Sequence, residues 1–161
     1  MITLEEAKHL AERISRLGHS LQVSSLMERL AELLGADVEL WMLVGLLHDL
    51  DYDETIADRV KHGVITVDRL GGLLPDEGLN AILRHDHRKG VIPESDLDYS
   101  LILCDAISTV LEAGQLSISV SLQGFNECLD RVDVEKPWLR EIIYENPILG
   151  RIELRELLEV Q

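Results

Sequence analysis

Aromatic and cysteine residues are scarce in this 161-residue sequence, and several familiar catalytic motifs are missing. Aromatic residues make up 4% of the chain, so few rings can stack on a planar ligand; the candidates are Tyr52, Tyr99, Phe125, Trp138 and Tyr144. Two cysteines, Cys104 and Cys128, are too few for a disulfide framework, and we expect both to be reduced core residues. The GxxxxGK[ST] loop, the CxxC pair and the GxSxG elbow do not occur, so the sequence lacks the ATPase, thiol-redox and serine-hydrolase motifs that they represent.

Basic residues are also in short supply. The chain carries 15 lysines and arginines against 30 acidic residues, which gives a formal net charge of −15. Such a surface repels a phosphate backbone, so we expect no nucleic-acid partner. A small anionic ligand remains compatible, because salt screens surface charge beyond about 8 Å and a bound cation reverses the local sign.

Long apolar runs are absent as well, although 46% of the residues are hydrophobic. No run reaches the roughly 18 residues that span a bilayer, and MITLEEAKHL lacks the basic and apolar regions of a signal peptide. We therefore expect a cytoplasmic protein with no membrane contact. The length is sufficient for one domain, over residues 1–161, with a proper core.

Apolar residues recur at three-and-four spacing almost throughout, which predicts helices. The alternating LSISVSL at 116–122 is interpreted as a loop, because a single strand would have no partner. We expect an all-α orthogonal bundle of short helices. The predicted helices are 3–17, 19–34, 37–49, 54–70, 75 to 85 or 87, 96–113, 121–131, 137–144 and 148–160.

Ionisable residues interrupt the most apolar of these helices. Asp105 lies within SLILCDAISTVLEAG, and no lysine or arginine occurs between Lys89 and Arg131 to pair with it. His48 and Asp49 directly follow the apolar run WMLVGLL. A buried carboxylate is costly unless it is paired, protonated or bound to a metal, and the alternative for Asp105 is a capping or salt-bridged residue. The missing partner in sequence favours a metal, and imidazole with carboxylate suits Fe, Mn, Co, Ni or Zn.

Five of the six histidines stand at helix starts or ends, whereas His9 falls on a polar helix face and is expected at the surface. In chain order the segments are GHSLQVSSLMERL, then LVGLLHDL, KHGVITVDRL, AILRH and LILCDAIS. Their order and spacing resemble the HD-domain superfamily of metal-dependent phosphohydrolases. The resemblance covers about residues 15–112 and leaves 113–161 as a helical extension.

The resemblance implies a ligand set. His19, His48, Asp49 and Asp105 match the four core ligands of the family. In its two-metal members two further histidines complete a second site, and the residues in those places are His62 and His85, with Asp49 bridging. One ion or two, the choice of His85 or His87, and the metal identity (Mn, Fe, Co, Ni, Zn or Mg) stay open.

The resemblance also implies a function, namely hydrolysis of a small anionic phosphoester, with nucleotides among the candidates. Two divalent ions with Asp49 and Asp105 would leave a local charge of about +2, which holds a phosphate and acidifies a water. Two alternatives remain: a di-iron oxygenase, which the ligand set does not separate from a hydrolase, and a non-catalytic regulatory module, against which the complete set of six ligands argues.

The residues that follow His48 and Asp49 depart from the family pattern. Many members have Gly and Lys there, but this chain has Leu50, Asp51, Tyr52 and Asp53. Phosphate would then be bound by another basic residue, and the catalytic candidates are Lys61 and Arg84, followed by Arg88 and Lys89; the alternative for each is a solvated surface charge. Asp51, Asp53 and Glu54 are expected to cap the next helix, or one of the two aspartates contacts the substrate.

We expect pocket lids at 88–100 and 114–137, and a monomer or a homodimer.

Overall fold

The computed structural model describes residues 1–159, and these contain helices but no strand. The all-α prediction is therefore confirmed. Three short 3₁₀ turns, at Arg59–Lys61, His87–Lys89 and Pro147–Gly150, connect some of the helices. The α-helices are α1 Leu4–Ala11, α2 Leu17–Leu34, α3 Val38–Leu47, α4 Val64–Leu70, α5 Asp76–Arg84, α6 Asp96–Ala113, α7 Leu122–Val132, α8 Trp138–Tyr144 and α9 Leu154–Leu158.

Local capping signals explain several of these boundaries. Thr3 and Glu6 form the predicted capping box at the start of α1, and Ser95 and Asp98 form another at the start of α6. Asp37 accepts a hydrogen bond from the backbone N–H of Leu40 and so caps α3. These side chains satisfy N–H groups that have no partner within their own helix.

Helices α2, α3 and α6 form the centre of the bundle, and their inward side chains are fully buried. The backbones of α2 and α3 approach closely at Gly45, where an added Cβ would lie 2.9 Å from the Cα of Ser24. This contact requires glycine, and it holds the start of α2 beside the end of α3.

Three predicted helices are wrong in extent. The segment 3–17 is helical only to Ala11, and 54–70 is helical only from Val64. In 148–160, a 3₁₀ turn precedes the short α9, and Val160 lies outside the described residues. The prediction over 96–113 is confirmed at both ends. Residues 116–121 form no strand, as predicted.

The C-terminal helices complete the bundle. Helices α7 and α8 pack on α6, and α9 contacts α2 and α7. Because α8 lies along α6, it places Leu139 and Ile142 opposite the end of α3. Among the described residues, no helix has the length and apolarity needed to cross a membrane.

Candidate metal centre

Six side chains from five parts of the chain meet at one end of α2, α3 and α6. His19 lies in the first turn of α2, His48 and Asp49 directly follow α3, and Asp105 lies within α6. His62 follows the 3₁₀ turn Arg59–Lys61, and His85 caps the C-terminus of α5. All are buried except Asp105, which is partly exposed.

Asp49 is the centre of this cluster. Its Oδ1 lies 3.2 Å from Nε2 of His62, 3.5 Å from Nε2 of His48 and 3.7 Å from Nε2 of His85. Its Oδ2 lies 3.9 Å from Nε2 of His19. One carboxylate is thus positioned between two groups of imidazoles, as expected for a bridging ligand.

Asp105 completes the second side of the cluster. Its Oδ1 lies 2.9 Å from Nε2 of His19 and 3.9 Å from Nε2 of His48. Two overlapping sets of atoms are each close enough to hold an ion: His19, His48 and Asp105, and His48, Asp49 and His85. They share His48, whose Nε2 can bind only one ion at a time. The set that the resemblance implies is brought together in full, and His62 lies 3.1 Å from His85.

Each imidazole is oriented through its other nitrogen. Nδ1 of His48 lies 2.7 Å from the carbonyl oxygen of Gly45, and Nδ1 of His85 lies 2.6 Å from that of Ile82. Nδ1 of His62 lies 2.8 Å from Oδ1 of Asp51. Such contacts fix the tautomer and turn Nε2 towards the centre, as is usual for metal-ligating histidines.

His19 is oriented by a hydroxyl instead. Its Nδ1 lies 3.0 Å from Oγ of Ser108, which in turn donates to Oε1 of Gln22. The chain after His62 passes close to the end of α5 at Gly63 (φ +79°), where an added Cβ would lie 2.9 Å from the carbonyl oxygen of Ile82. This glycine allows His62 to reach the end of α5.

The residues present fit divalent ions. Nε2 of His48 is buried and has no hydrogen-bond partner among the described residues. An unpartnered buried nitrogen costs free energy, which a metal–ligand bond would offset. Nitrogen and oxygen donors in this mixture suit first-row transition metals.

Protonation of the cluster follows from burial and pairing. Burial lowers the pKa of His48 to about 4, so its ring is neutral and available as a ligand at neutral pH. Burial also acts to lower the pKa of His62, but hydrogen bonds to Asp49 and Asp51 outweigh it and raise that pKa to about 9. Burial opposes ionisation of Asp105, yet the hydrogen bond with His19 holds its pKa well below the ordinary value.

A cavity of about 660 Å³ opens directly over the cluster. Asp49, His62, His85 and Asp105 belong to its lining, which also includes an apolar wall. The wall residues come from α6 and α8; they are Ile102, Ala106, Ala113, Trp138, Leu139 and Ile142. Of the predicted lid segments 88–100 and 114–137, only Arg88 and Lys136 contribute to the cavity lining.

Of the four basic residues predicted to bind phosphate, Lys61, Arg84 and Lys89 do not line this cavity, whereas Arg88 does. Lys61 is largely exposed and pairs with Asp58 at 3.0 Å. Arg84 pairs with Asp98 at 2.9 Å and with Glu94 at 2.8 Å. Their charges are directed to neighbouring carboxylates because the 3₁₀ turn and the end of α5 point them away from the cluster.

The basic residues that line the cavity are Arg16, Arg59, Arg88 and Lys136. Nη1 of Arg16 lies 3.1 Å from Oδ2 of Asp49, and its Nη2 lies 3.0 Å from Oε2 of Glu112. Sequence reasoning missed Arg16 and Arg59. Arg16 stands three residues before His19, a helical spacing that indicates a shared face. Arg59 had no such signal, because its place depends on an irregular turn.

Of the three acids that follow His48 and Asp49, only Asp51 caps the next helix as predicted. Asp51 is buried, and its Oδ2 accepts from the backbone N–H of Thr66 in the first turn of α4, while its Oδ1 faces His62. Asp53 accepts from Ser15, and Glu54 pairs with Arg69. The helix-cap prediction is therefore wrong for Asp53 and Glu54.

His87, the alternative to His85, is exposed and its ring lies 6.0 Å from that of Trp138. It belongs to the lining of the same cavity. Of the two histidines, His85 is the one that faces Asp49.

A model of the HD domain family matches residues 16–109, which is more than half of the chain. The chain belongs to the HD domain family. Membership implies a metal-dependent, hydrolase-like protein, and it agrees with the ligand set that meets at Asp49. No curated protein and no solved structure matches the chain. The HD domain match begins at Arg16 and ends before α7 and α8, so the apolar wall from α8 lies outside it.

Proposed function

We propose that this HD domain protein is a metal-dependent phosphohydrolase that acts on a small phosphoester and holds two divalent ions. One observation carries the proposal: four imidazoles and two carboxylates converge beneath a cavity whose rim bears arginines, in a protein of net charge −15. A local concentration of positive charge in an acidic protein favours a small anion as the ligand.

The residues divide into two roles. Asp49 and Asp105, with His19, His48, His62 and His85, would hold the ions. Bound divalent ions supply a nucleophilic water at neutral pH and positive charge for the phosphoryl oxygens.

Arg16 provides the nearest protein cation to this centre, since it lies against Asp49. Its Nη1 and Nη2 each carry a second N–H beyond those that face Asp49 and Glu112, and these N–H groups can donate to a phosphoryl oxygen over the cluster. Glu112 holds the other side of Arg16 and fixes its direction. The apolar wall from α6 and α8 excludes water and packs against the organic part of the ester.

The experiment starts with metal analysis of protein purified without chelator. The protein is then reconstituted with Mn²⁺, Co²⁺, Ni²⁺, Mg²⁺ or Fe²⁺ and assayed with a panel of nucleotides and generic phosphoesters. We expect phosphate release that Asp49→Ala abolishes. Metal-loaded protein that releases no phosphate from any ester would contradict the proposal, as would dioxygen consumption by the iron form without phosphate release.

A further inference from the structure

The cations around the cavity differ in whether a carboxylate neutralises them. Arg16 is bound by Asp49 and Glu112. Arg88 donates from Nε and Nη2 to the carboxylate of Asp86, at 2.8 and 2.9 Å. Both guanidinium charges are thus balanced within the protein.

Arg59 is the exception inside the cavity. It is partly buried and lines the cavity, yet no carboxylate oxygen lies within 4.0 Å of its guanidinium in the described part of the chain. Its Nη1 is buried without a hydrogen-bond partner. Lys136 also forms no ion pair with the described residues, but it is exposed at the rim, where water screens it.

An aromatic ring holds Arg59 in place. Its Cζ lies 4.5 Å from the ring centroid of Tyr52, and the Cζ of Arg16 lies 4.7 Å from the same centroid. Tyr52 in turn packs edge-on against His62, with 6.2 Å between the ring centroids. Cation–π contacts therefore support two guanidinium groups beside one ligand histidine.

A half-buried cation with an unsatisfied donor favours an anion as its partner. A phosphate monoester carries about two negative charges at neutral pH, since its second pKa is near 6, whereas a diester carries one. A monoester bound to Arg16 can therefore offer a second negative charge to Arg59, whereas a diester has a single charge to share between the two arginines.

We infer that Arg59 is a substrate-binding residue that makes the cavity selective for dianionic phosphate monoesters over phosphate diesters. The selectivity rests on the proposed function, but binding of a dianion by Arg59 does not require turnover. Tyr52 acts as a positioning residue for this contact.

The test compares Arg59→Ala and Arg59→Lys with a matched control, Arg69→Ala, which removes an arginine paired with Glu54 outside the cavity. Binding of inorganic phosphate to the Mn²⁺-loaded proteins is measured by calorimetry. We expect about 10–100-fold weaker binding in Arg59→Ala, because a charge-assisted contact is lost. Arg59→Lys should recover part of it, since lysine keeps the charge but not the planar fork, and Arg69→Ala should bind as the wild type does.

Hydrolysis of p-nitrophenyl phosphate and bis(p-nitrophenyl) phosphate then tests selectivity. In Arg59→Ala, KM for the monoester should rise by a similar factor, while KM for the diester should change much less. Wild-type phosphate affinity in Arg59→Ala would overturn the inference and leave the proposed function standing. Phosphate binding that depends on Arg59, without turnover of any ester, would overturn the proposed function and leave the dianion contact standing.

Discussion

His85 and His87 are two residues apart, and only His85 faces the cluster. Nε2 of His85 lies 3.7 Å from Asp49, whereas the His87 ring lies against Trp138. We therefore predict that His85→Ala lowers the metal content by about one ion per chain, because only His62 and Asp49 would remain of the three protein ligands assigned to that site. His87→Ala should keep the wild-type content. Elemental analysis of both variants checks this, and an equal content in the two would refute the assignment of His85.

Asp51 is not one of the six residues of the cluster, but it orients the ring of His62. Its Oδ1 lies 2.8 Å from Nδ1 of that ring. We predict that Asp51→Asn weakens metal binding by about 10–100-fold, the usual effect of losing a partner behind a ligand histidine. Competition with a metal-sensitive dye measures the affinity. The control is Asp53→Asn, whose carboxylate contacts only Ser15 on the surface; a loss as large in that variant would contradict the role of Asp51.

At the residue scale, the sequence predicted which residues meet in the cluster better than which cations line the cavity. His48, Asp49 and Asp105 end or interrupt apolar runs, so a buried ionisable group such as Asp105 is visible in the sequence itself. A cation that binds an anion looks the same in sequence as one on the surface. Lys61 and Arg59 belong to one 3₁₀ turn, but only Arg59 lines the cavity, and no periodicity distinguishes the two.

The pairing of α2 with α3 sets the distance between their ligands. At Gly45 an added Cβ would lie 2.9 Å from Cα of Ser24 and 3.0 Å from Cγ of Met27. We predict that Gly45→Ala destabilises the fold by about 1–3 kcal/mol, the usual cost of overpacking a core. Urea unfolding gives the value.

The matched control is Gly18→Ala, near the start of α2, where an added Cβ would meet nothing within 4 Å. Alanine favours a helix over glycine, so this variant should be as stable as the wild type or slightly more so. Equal destabilisation by both substitutions would show that the contact between α2 and α3 is not close-packed.

The N-terminus of α6 predicts a pH dependence. Burial acts to raise the pKa of Asp98, but hydrogen bonds from the backbone of Glu94, from Ser95 and from Arg84 lower it overall. A lowered folded pKa stabilises the protein above the unfolded value near 3.9, and this gain disappears as the pH falls through the folded value. Asp98→Asn should therefore cost about 1–3 kcal/mol at pH 7 and progressively less towards pH 3. Unfolding in urea across this range checks it; a cost that does not change with pH would contradict it.

At the element scale, periodicity predicted the regular helices and failed where side chains replace backbone pairing. Helix α6 is predicted to the residue because a capping box and Gly114 bound an unbroken apolar pattern. Residues 50–62 also contain a helix-like pattern, but the buried Asp51 and Thr55 bond to backbone groups there. Short polar side chains that compete with the helix in this way produce irregular turns.

For the whole molecule, the cluster concentrates ligands that the unfolded chain keeps far apart, so ion binding should stabilise the fold. At a free ion concentration 100 times the Kd, the gain is about 2.7 kcal/mol for each bound ion, or about 5–10 °C in Tm per ion for a protein of this size. We expect this rise when Mn²⁺ is added to chelator-treated protein and followed by calorimetry.

The net charge of −15 provides a competing explanation for a rise in Tm on addition of Mn²⁺, because any cation reduces repulsion across an acidic surface. Two controls separate the effects. Sodium chloride at matched ionic strength screens the surface without entering the cluster, and it should reproduce only a small part of the shift. Asp49→Ala changes the net charge by one but removes the carboxylate that lies between both groups of imidazoles, so its Tm should respond to Mn²⁺ no more than to sodium chloride. A full Mn²⁺ shift in that variant would mean that the ions act on the acidic surface and not at the cluster.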